Sequence, residues 1–414
     1  MASSPNAFGV LRLRDFRLLL AGKAVSVLGD RMVSVALAFA VLGIGGSASA
    51  VGLVLAAGTA PMALSVIAGG VVADRVPRRA VMVGADLLRL ATQGATAVLL
   101  LTGTAEVWML AALAAVTGVG SGFFNPASTG LLPEIVPPGD LQPANALRSS
   151  ATAAGEIAGP VLAGVLVAVS SPGTAIAVDA GTFAVSAICL AAMRPPVREP
   201  RGGASFLADL RDGWTAFASR RWVWTFVSYF AFGNMMWAAW SALGPVVADR
   251  DLGGAAPWGV VLGAMGVGAL AGGLAATRID PARPLLAVAA MEGLFALPLA
   301  FLAAGTGVAV LVVAGFVSGV GLMVGMSVWE STLQRRIPGE SLSRVSSYDW
   351  FGSFAFYPLG MALWGPIAAA IGLTPALWVA FGGFAIFIAA VLLMPETRRL
   401  RRDAATPPQV TPAR

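Results

Sequence analysis

Histidine is absent from this chain of 414 residues, and cysteine occurs once, as Cys189. Without histidine there can be no His-dependent catalytic triad and no histidine-ligated zinc or haem site. A single cysteine excludes an intrachain disulfide and a multi-cysteine metal site. No recognisable nucleophile or cofactor loop accompanies the few acids. We therefore expect no metal, no other cofactor and no enzymatic activity.

Charge is also scarce, since charged residues make up 12% of the chain and hydrophobic residues 57%, with a mean hydropathy of +0.81. An ordinary soluble domain is about a quarter charged. Helices of roughly 20 apolar residues cross a hydrocarbon core of about 30 Å, and twelve stretches are long enough. They lie near 18–43, 50–73, 80–103, 107–132, 144–170, 174–193, 221–248, 256–277, 284–304, 307–333, 346–371 and 374–394. The sequence predicts an all-α integral membrane protein with twelve transmembrane helices.

The placement of arginine predicts the topology. The first apolar stretch follows Arg12, Arg14 and Arg17 and is too long for a cleaved signal peptide. With the N-terminus inside, most of the 27 Lys and Arg residues lie in cytoplasmic segments and only Arg250 lies outside. Both termini are therefore expected in the cytoplasm of a bacterium, with the chain in its inner membrane. The net charge of +6 comes from membrane-flanking clusters, which favour anionic lipid over nucleic acid as the contact.

Two sequence patterns occur twice. Gly69-Gly70-Val-Val-Ala-Asp74-Arg75 returns 203 positions later as Gly272-Gly273-Leu-Ala-Ala-Thr277-Arg278. A second echo is offset by 201 to 203 positions and pairs Ser128-Thr129, Pro137 and Leu141 with Ser331-Thr332, Pro338 and Leu342. Repeats between apolar runs are typical of transporters built from two related bundles. The sequence thus predicts two six-helix pseudo-repeats.

The longest polar interruption divides these halves. We predict an N-terminal bundle at 1–193, a cytoplasmic linker at 194–220 and a C-terminal bundle at 221–395. One helical face of the linker is apolar, which predicts an amphipathic helix on the membrane surface. That face carries Phe206, Leu207, Leu210, Trp214 and Phe217. The charged, Pro- and Thr-containing tail at 396–414 is expected to be disordered.

The loop between the second and third stretches reads Gly70-Val-Val-Ala-Asp74-Arg75-Val-Pro-Arg78-Arg79. Glycine allows close helix approach, and the arginines are expected at the lipid headgroups, paired with acids of the other half. The loop resembles the G-x-x-x-D-R-x-x-R-[RK] signature of the major facilitator superfamily. The resemblance implies a twelve-helix fold and a loop that latches the cytoplasmic side. A packed turn with lipid anchors explains the last two arginines equally well but leaves Asp74 unexplained.

Charges near the loop between spans ten and eleven are candidate partners for this latch. Glu330 ends span ten, and Asp349 starts span eleven. They are expected to act as gate charges that meet Asp74 and Arg75 across the two halves.

The fifth stretch contains a second motif, Gly155-Glu-Ile-Ala-Gly159-Pro160-Val-Leu-Ala163-Gly164. It resembles the G-x-x-x-G-P-x-x-G-G motif of the antiport branch of the same superfamily, with Ala163 as a departure. Glycine and proline bend a helix and let it pack tightly. The resemblance implies efflux by antiport, and a generic small-residue interface is the alternative.

Ionisable residues inside membrane spans are costly and mark functional sites by default. Asp30, Arg31 and Glu156 lie at a similar depth in spans one and five, roughly 18–20 Å from the cytoplasmic surface. We predict an ion pair between Arg31 and Glu156, with Asp30 as the proton carrier. A static network that only fixes packing is the alternative. Asp86 and Arg89, one turn apart in span three, are expected to pair with each other.

Aromatic and amide side chains recur at helical spacing in span seven. Tyr229, Asn234 and Trp237 lie there, and Tyr357 lies in span eleven. Such a stripe suits a large, mostly apolar organic molecule. These four residues are the candidate substrate contacts, and ordinary helix packing is the alternative.

Two further segments, Val27-Leu28-Gly29-Asp30 and Asn125-Pro126-Ala127, resemble the subgroup of the superfamily that includes macrolide efflux proteins and the enterobactin exporter. The resemblance implies a proton-coupled exporter of a drug, antibiotic or similar product that works by alternating access, and we expect a monomer. A siderophore exporter remains open, because Lys23, Arg31 and Arg89 could receive an anionic cargo. A non-transporting membrane sensor or assembly factor is a third possibility, which the short external loops disfavour.

Overall fold

The computed structural model describes residues 9–195, 214–215, 217–337 and 339–401. Helices account for the regular structure of this part of the chain, and we number the α-helices in order. The N-terminal half contains α1 Arg14–Gly43, α2 Ala48–Arg75, α3 Arg78–Thr102, α4 Val107–Ile135, α5 Leu141–Val169 and α6 Pro172–Ala192. The C-terminal half contains α7 Arg221–Asp251, α8 Ala255–Ala276, α9 Pro284–Ala303, α10 Val308–Arg336, α11 Gly339–Phe354, α12 Tyr357–Ile371, α13 Leu373–Leu393 and α14 Pro395–Arg399.

Ten helical stretches in the described residues are long and apolar enough to cross a membrane. The two long helices outside this set are α3 and α7, of 25 and 31 residues. Charged residues dilute the hydropathy of α3, which contains Asp86 and Arg89 as well as two arginines in its first turn. Both helices exceed the roughly 20 residues that a crossing needs. Twelve crossings and cytoplasmic termini therefore stay predictions.

Short polar connections end the helices at the surface. Ser47 accepts a hydrogen bond from the Ala50 N–H at 3.3 Å, and Ser171 accepts one from the Thr174 N–H at 3.1 Å. These serines satisfy N–H groups that have no partner within the helix. Gly103, with φ of 71°, ends α3 in the left-handed conformation that glycine adopts without strain. Local sequence chemistry thus sets these boundaries.

Span eleven is broken, whereas the sequence predicted one uninterrupted helix over 346–371. The first part, α11, ends at Phe354 and α12 begins at Tyr357. Because Pro358 has no N–H, it cannot donate to the carbonyl of Phe354, four residues earlier. Asn234 of α7 donates its Nδ2–H to the neighbouring Ser353 carbonyl at 3.0 Å. The break therefore has both a local cause and a tertiary partner.

The duplicated glycine pattern occupies the same packing position in each half. A Cβ on Gly69 of α2 would lie 2.6 Å from the Gly122 carbonyl oxygen of α4, and one on Gly272 of α8 would lie 2.6 Å from the Val320 carbonyl oxygen of α10. Both glycines let the second and fourth helices of a half approach closely. A Cβ on Gly70 would meet no atom within 4 Å. The close approach expected of Gly70 is thus made by Gly69 instead.

The two halves touch along two seams, α2 with α12 and α5 with α8. In the first, Gly52 lies against the Met361 carbonyl. In the second, a Cβ on Gly164 would lie 2.6 Å from the Ala255 carbonyl oxygen, and one on Gly259 would lie 2.5 Å from the Pro160 carbonyl oxygen. We call the end at which α1 begins and α13 ends the terminal end, and the opposite one the far end. These glycine contacts lie toward the far end.

At the terminal end the halves separate. The helix α11 forms the terminal-end part of span eleven, and it packs mainly on α7 and α10 of its own half. The structure is therefore closed at the far end and has a cleft between the halves that opens toward the terminal end.

The described part of the linker contacts α11. The ring of Trp214 lies 5.7 Å from Phe217 and 5.7 Å from Tyr348. The remaining apolar linker residues, Phe206, Leu207 and Leu210, lie outside the described residues, as does the tail beyond residue 401. The first residues of the predicted tail at 396–414 are helical, since they belong to α14, Pro395–Arg399. The linker helix and the disorder of the tail beyond residue 401 stay predictions.

Candidate functional site

A charged pair lies on the cleft wall of the N-terminal half. Arg31 donates from Nη2 to Glu156 Oε1 at 2.8 Å, which confirms the predicted pair. Both residues lie well inside long helices, yet their side chains are 50% and 37% exposed. Exposure at this depth follows from the open cleft, because the side chains point between the two halves. The pair is accessible from the terminal end.

The glycines of the second motif bring α5 against its neighbours. A Cβ on Gly155 would lie 2.7 Å from Val27 Cγ1, and one on Gly159 would lie 2.9 Å from the Leu28 carbonyl oxygen of α1. Gly164 faces α8 of the other half, and α5 continues without interruption through Pro160. The motif thus positions Glu156 beside Arg31. Its role in antiport stays a prediction.

Asp30 links the cleft to a buried ion pair. Its Oδ2 lies 3.7 Å from Arg89 Nη1, and Arg89 donates from Nη2 to Asp86 Oδ1. The Arg89 side chain is only 2% exposed, with its guanidinium 4.5 Å from the ring centre of Phe124 and 4.2 Å from that of Phe183. The predicted Asp86–Arg89 pair is confirmed. It also belongs to the same network as Asp30.

Asp179 of α6 is a fourth acid of this region, and our reading of the sequence overlooked it. The residue is fully buried, and its Oδ2 accepts a hydrogen bond from Gln93 Nε2 at 2.9 Å. Gly29 of α1 lies directly against it, since a Cβ there would overlap Asp179 Oδ1. The rule that selected Asp30, an acid within an apolar span, applies equally to Asp179.

The duplication lets each member of the network be compared with its counterpart in the other half. Aligning the helices by their buried positions, at offsets of 201 to 204, pairs Asp30 with Asn234, Asp86 with Ala289, Arg89 with Glu292, Glu156 with Tyr357 and Asp179 with Ala380. The counterparts carry one charge among five positions. The charged network is therefore a property of the N-terminal half and is not required by the fold.

Two of the four candidate substrate contacts, Asn234 and Tyr357, lie on the cleft wall of the C-terminal half. Tyr357 shares a hydrogen bond with Ser241 at 3.0 Å and lies within electrostatic range of Arg31 on the opposite wall. Asn234 is half-buried beside the break in span eleven. Asn234 is the counterpart of Asp30, and Tyr357 is the counterpart of Glu156. Equivalent positions of the two halves therefore lie on opposite walls of the cleft.

The other two candidates lie in the packed core. Tyr229 is 3% exposed and Trp237 is 8% exposed. The Trp237 ring centre is 4.0 Å from that of Phe295 and 5.5 Å from that of Trp240. Both side chains are packed between helices in this structure, so their role as substrate contacts stays a prediction. Sequence spacing alone does not separate a packed stripe from an accessible one.

The described contacts of Arg78 and Arg79 of the signature loop lie within their own half, and their pairing across the halves stays a prediction. Arg78 donates to the Gly130 carbonyl and to Glu134 Oε1, the latter at 3.1 Å. Arg79 donates to the carbonyl of Leu190 at 2.9 Å and to that of its neighbour Ala191. The last carbonyls of a helix have no intrahelical partner and attract cations. These arginines therefore fasten α3 to α4 and to the end of α6.

The remaining gate candidates are not joined across the cleft. Arg75 and Glu330 are exposed, and Asp349 is buried with its Oδ2 accepting from Trp329 Nε1 at 3.1 Å. The side chain of Asp74 lies outside the described residues. Among the side chains that the structure describes, none of these residues forms an ion pair with the opposite half. Their role as a gate stays a prediction.

Comparison with known proteins fits this architecture. Residues 5–409 match the model of a family described as transmembrane secretion effector. The chain belongs to this family. Together with the relatives and the apolar helices, this makes it a multi-pass protein of the bacterial plasma membrane and a member of the major facilitator superfamily, as the sequence motifs indicated.

Two relatives are efflux proteins. Macrolide efflux protein A of Streptococcus pyogenes is 26% identical over 201 residues, which cover 48% of this chain and 50% of the relative. The multidrug efflux pump Tap of Mycolicibacterium fortuitum is 28% identical over 389 residues, which cover 88% of this chain and 90% of the relative. The chain thus spans about half the length of the macrolide efflux protein that it matches.

Solved transporters share the fold. A peptide transporter POT superposes with a TM-score of 0.76 at 14% identity and covers 94% of this chain and 95% of its own. A bacterial homologue of the lysosomal transporter Spinster, in an inward-facing and occupied conformation, gives 0.74 at 13% identity over 94% and 98%. The nucleoside transporter NupG gives 0.74 at 11% identity over 91% and 99%. At these identities the likeness concerns the fold alone.

Proposed function

We propose that this chain is a secondary active transporter that exports a small organic molecule, a drug, antibiotic or similar natural product, in exchange for protons. It acts as a monomer whose two six-helix halves expose a central site alternately to the two sides of the membrane. The observation that carries the proposal is the Arg31–Glu156 pair with Asp30 beside it, exposed at the middle of long helices on one wall of the cleft. The named relatives support the direction of transport.

The position of the charges supports coupling. Charged groups inside membrane spans are tolerated where they do work or pair, and here they connect the cleft to the buried Asp86–Arg89 pair. Since the other half lacks this network, it is not part of the shared scaffold. Asp30 is the group in contact with both the cleft and Arg89, which suits a residue that binds and releases protons.

The seams between the halves support alternating access. Both are lined by glycine on the far-end side, where backbone approaches backbone and little side-chain repacking opposes separation. With the terminal end in the cytoplasm, the structure corresponds to the state open to the inside. Opening of the far end and closure of the terminal end give the opposite state.

Two oppositely charged residues could form an ion pair when the terminal end closes. Arg148 near the start of α5 and Asp349 in α11 occupy equivalent positions, 201 residues apart. Arg148 donates to Ser128 Oγ at 3.2 Å, and Asp349 accepts from Trp329 Nε1 at 3.1 Å; neither forms an ion pair among the described side chains. In a pair of related bundles, equivalent positions near the axis face each other, so closure of the terminal end would bring these two side chains together. This pair extends the set of gate charges to residues the sequence motifs did not indicate.

The state of the cations favours a mostly apolar cargo over a siderophore. A siderophore exporter would keep cations free for an anionic molecule; two of the three candidate cations are paired, Arg31 with Glu156 and Arg89 with Asp86, and Lys23 alone forms no ion pair among the described residues. Tyr357 and Asn234 on the opposite wall add hydrogen-bonding groups without charge. We therefore propose a neutral or weakly basic organic molecule, of which a macrolide is one example.

Reconstitution tests this function. Purified protein in liposomes is supplied with erythromycin as a probe macrolide and with an imposed pH gradient, and accumulation is followed with and without a protonophore. Asp30→Asn is compared with Asp251→Asn, an exposed residue at the end of α7. We expect gradient-driven transport in the wild type and in Asp251→Asn and its loss in Asp30→Asn. Equal coupling in all three would remove Asp30 from the mechanism. Absence of any substrate-dependent proton movement across a broad compound panel would instead favour a membrane sensor.

A further inference from the structure

One fully buried acid of the N-terminal network, Asp179, has no cation of its own in the described part of the chain. Asp30, Asp86 and Asp179 surround the single guanidinium of Arg89, which is ion-paired with Asp86 and lies 3.7 Å from Asp30. Asp179 has no cation within ion-pair distance among the described residues, and Gln93 is neutral. A buried carboxylate without a cation is costly, and such a group takes up a proton instead.

The hydrogen bonds of Asp179 point to where that proton lies. Thr182 Oγ1 lies 2.7 Å from the Asp179 carbonyl oxygen and 3.4 Å from Asp179 Oδ1. This hydroxyl group carries one hydrogen. The shorter contact takes the hydroxyl hydrogen, because a hydroxyl donates only once. Among the described residues, Oδ1 of Asp179 therefore receives only the long 3.4 Å contact from this hydroxyl, which leaves Oδ1 available to hold a proton. Asp179 Oδ2 accepts from Gln93, as the carbonyl oxygen of a neutral carboxyl group does.

Resting on the proposed proton antiport, we propose that Asp179 is the buried proton-binding residue of this transporter. It carries the exchanged proton on Oδ1 in the conformation open at the terminal end, and Asp30 passes that proton between Asp179 and the cleft.

Asp179 lies against the backbone of α1 at the glycine that precedes Asp30. Asp179 Oδ1 faces the backbone of α1 at Gly29, the residue before Asp30, where any Cβ would overlap the oxygen. Asp30 and Asp179 lie within electrostatic range of each other, and Asp30 reaches the cleft. Glycine at this position therefore gives the buried acid access to the neighbour that meets water.

The transfer balances without a further reactant. The O–H bond at Asp179 Oδ1 breaks, a new O–H bond forms on the Asp30 carboxylate, and Asp30 then gives the proton to water in the cleft. Asp179 is left as a carboxylate. Gln93 continues to donate to Oδ2 of this new carboxylate. Reloading from the other side reverses the steps.

All charged groups that face this site come from three helices packed around α6. They are Lys23, Asp30 and Arg31 of α1, Asp86 and Arg89 of α3, and Arg148 and Glu156 of α5. The ammonium of Lys23 lies 5.5 Å from the ring centre of Phe124 and acts on Asp30. Arg31 and Glu156 neutralise each other. None of these cations is ion-paired with Asp179.

Infrared spectroscopy tests proton binding directly, with no need for a substrate. The full-length protein in detergent near neutral pH is expected to show the C=O band of a protonated carboxyl group. The band should be lost in Asp179→Asn and kept in Glu106→Gln, whose exposed carboxylate binds Trp108 outside the network. Gln93→Leu removes the donor to Oδ2 and should shift the band to higher wavenumber. A band that is absent from the wild type, or unchanged in both Asp179→Asn and Gln93→Leu, would overturn the proposal.

Transport then tests the coupling. In liposomes with erythromycin as the probe, Asp179→Asn is expected to lose accumulation driven by a pH gradient but to keep exchange of labelled for unlabelled probe. Gradient-driven accumulation equal to that of the wild type would refute the role of Asp179. If the wild type itself ignores the gradient, the proposed antiport fails, and the infrared band still decides whether Asp179 holds a proton.

Discussion

Replacing Arg89 by methionine should destabilise the N-terminal half strongly. Methionine has a similar length and keeps the apolar contacts with Phe124 and Phe183, but it removes the one ion-pair partner that Asp86 has among the described residues. Asp86 is fully buried and has one carboxylate oxygen without any partner already. The variant would therefore leave a negative charge in the interior with nothing to balance it.

The magnitude follows from this burial. Removing one partner of a buried ion pair costs about 3–5 kcal/mol, because the other charge remains buried. Replacing Asp86 by asparagine in the same chain removes the charge and leaves a buried amide, for which the cost is about 1–3 kcal/mol. The double variant Asp86→Asn/Arg89→Met should thus be more stable than Arg89→Met. A double variant that is more stable than Arg89→Met would show that the unbalanced charge of Asp86, and not the lost packing of Arg89, causes the destabilisation.

Denaturant titration in mixed micelles measures these free energies of unfolding. Cys189, the one cysteine in the chain, is half-buried in α6 and can report the opening of this half through a thiol-reactive dye. Arg335→Met is the matched control, because its 3.0 Å pair with Asp280 is exposed and should contribute about 0–1 kcal/mol. The reasoning is refuted if Arg89→Met matches this control, or if the double variant is no more stable than Arg89→Met alone.

Three other outcomes follow from the packing and the cleft. Glu156→Gln should abolish coupled transport while changing the free energy of unfolding by about 1 kcal/mol or less, since its pair with Arg31 is half-exposed; a larger loss of stability would make the pair structural. Trp237→Ala should cost about 3–5 kcal/mol and lower the amount of folded protein for every substrate alike, whereas selective loss of one substrate would restore it as a binding residue. Gly69→Ala should cost about 1–3 kcal/mol in thermal or denaturant unfolding and Gly70→Ala much less, because only the first added Cβ meets a backbone carbonyl; equal effects would contradict the packing.

The asymmetry between the halves bears on how such transporters divide their work. Equivalent positions carry a charged network in one half and mostly uncharged residues in the other. A scaffold that needed these charges would have them twice. Protons would bind in the N-terminal half, and the C-terminal half would supply uncharged substrate contacts such as Tyr357. Substrate and proton would then use the same cleft through largely different residues.

The sequence alone determined the membrane class, the duplication and the main ion pair. Apolar runs are a direct consequence of the lipid solvent, so nearly every helix lies where a run predicted one. Arg31 and Glu156 could be paired because two helices that start on the same side place residues of equal depth together. The family motifs added the superfamily, which the comparisons then bore out.

The tertiary structure decided which side chains are exposed and which residues are in contact, neither of which follows from spacing along the sequence. Whether Tyr229 or Asn234 meets the cleft depends on how α7 is rotated, and the sequence spacing of a helical stripe does not show which face is exposed. Arg78 and Arg79 bind carbonyl groups of α4 and α6, and only the packing of these helices against α3 shows that the carbonyls lie within reach. The link from Asp30 through Arg89 to buried acids joins three helices that are far apart in sequence, and only their packing brings those charges into one network.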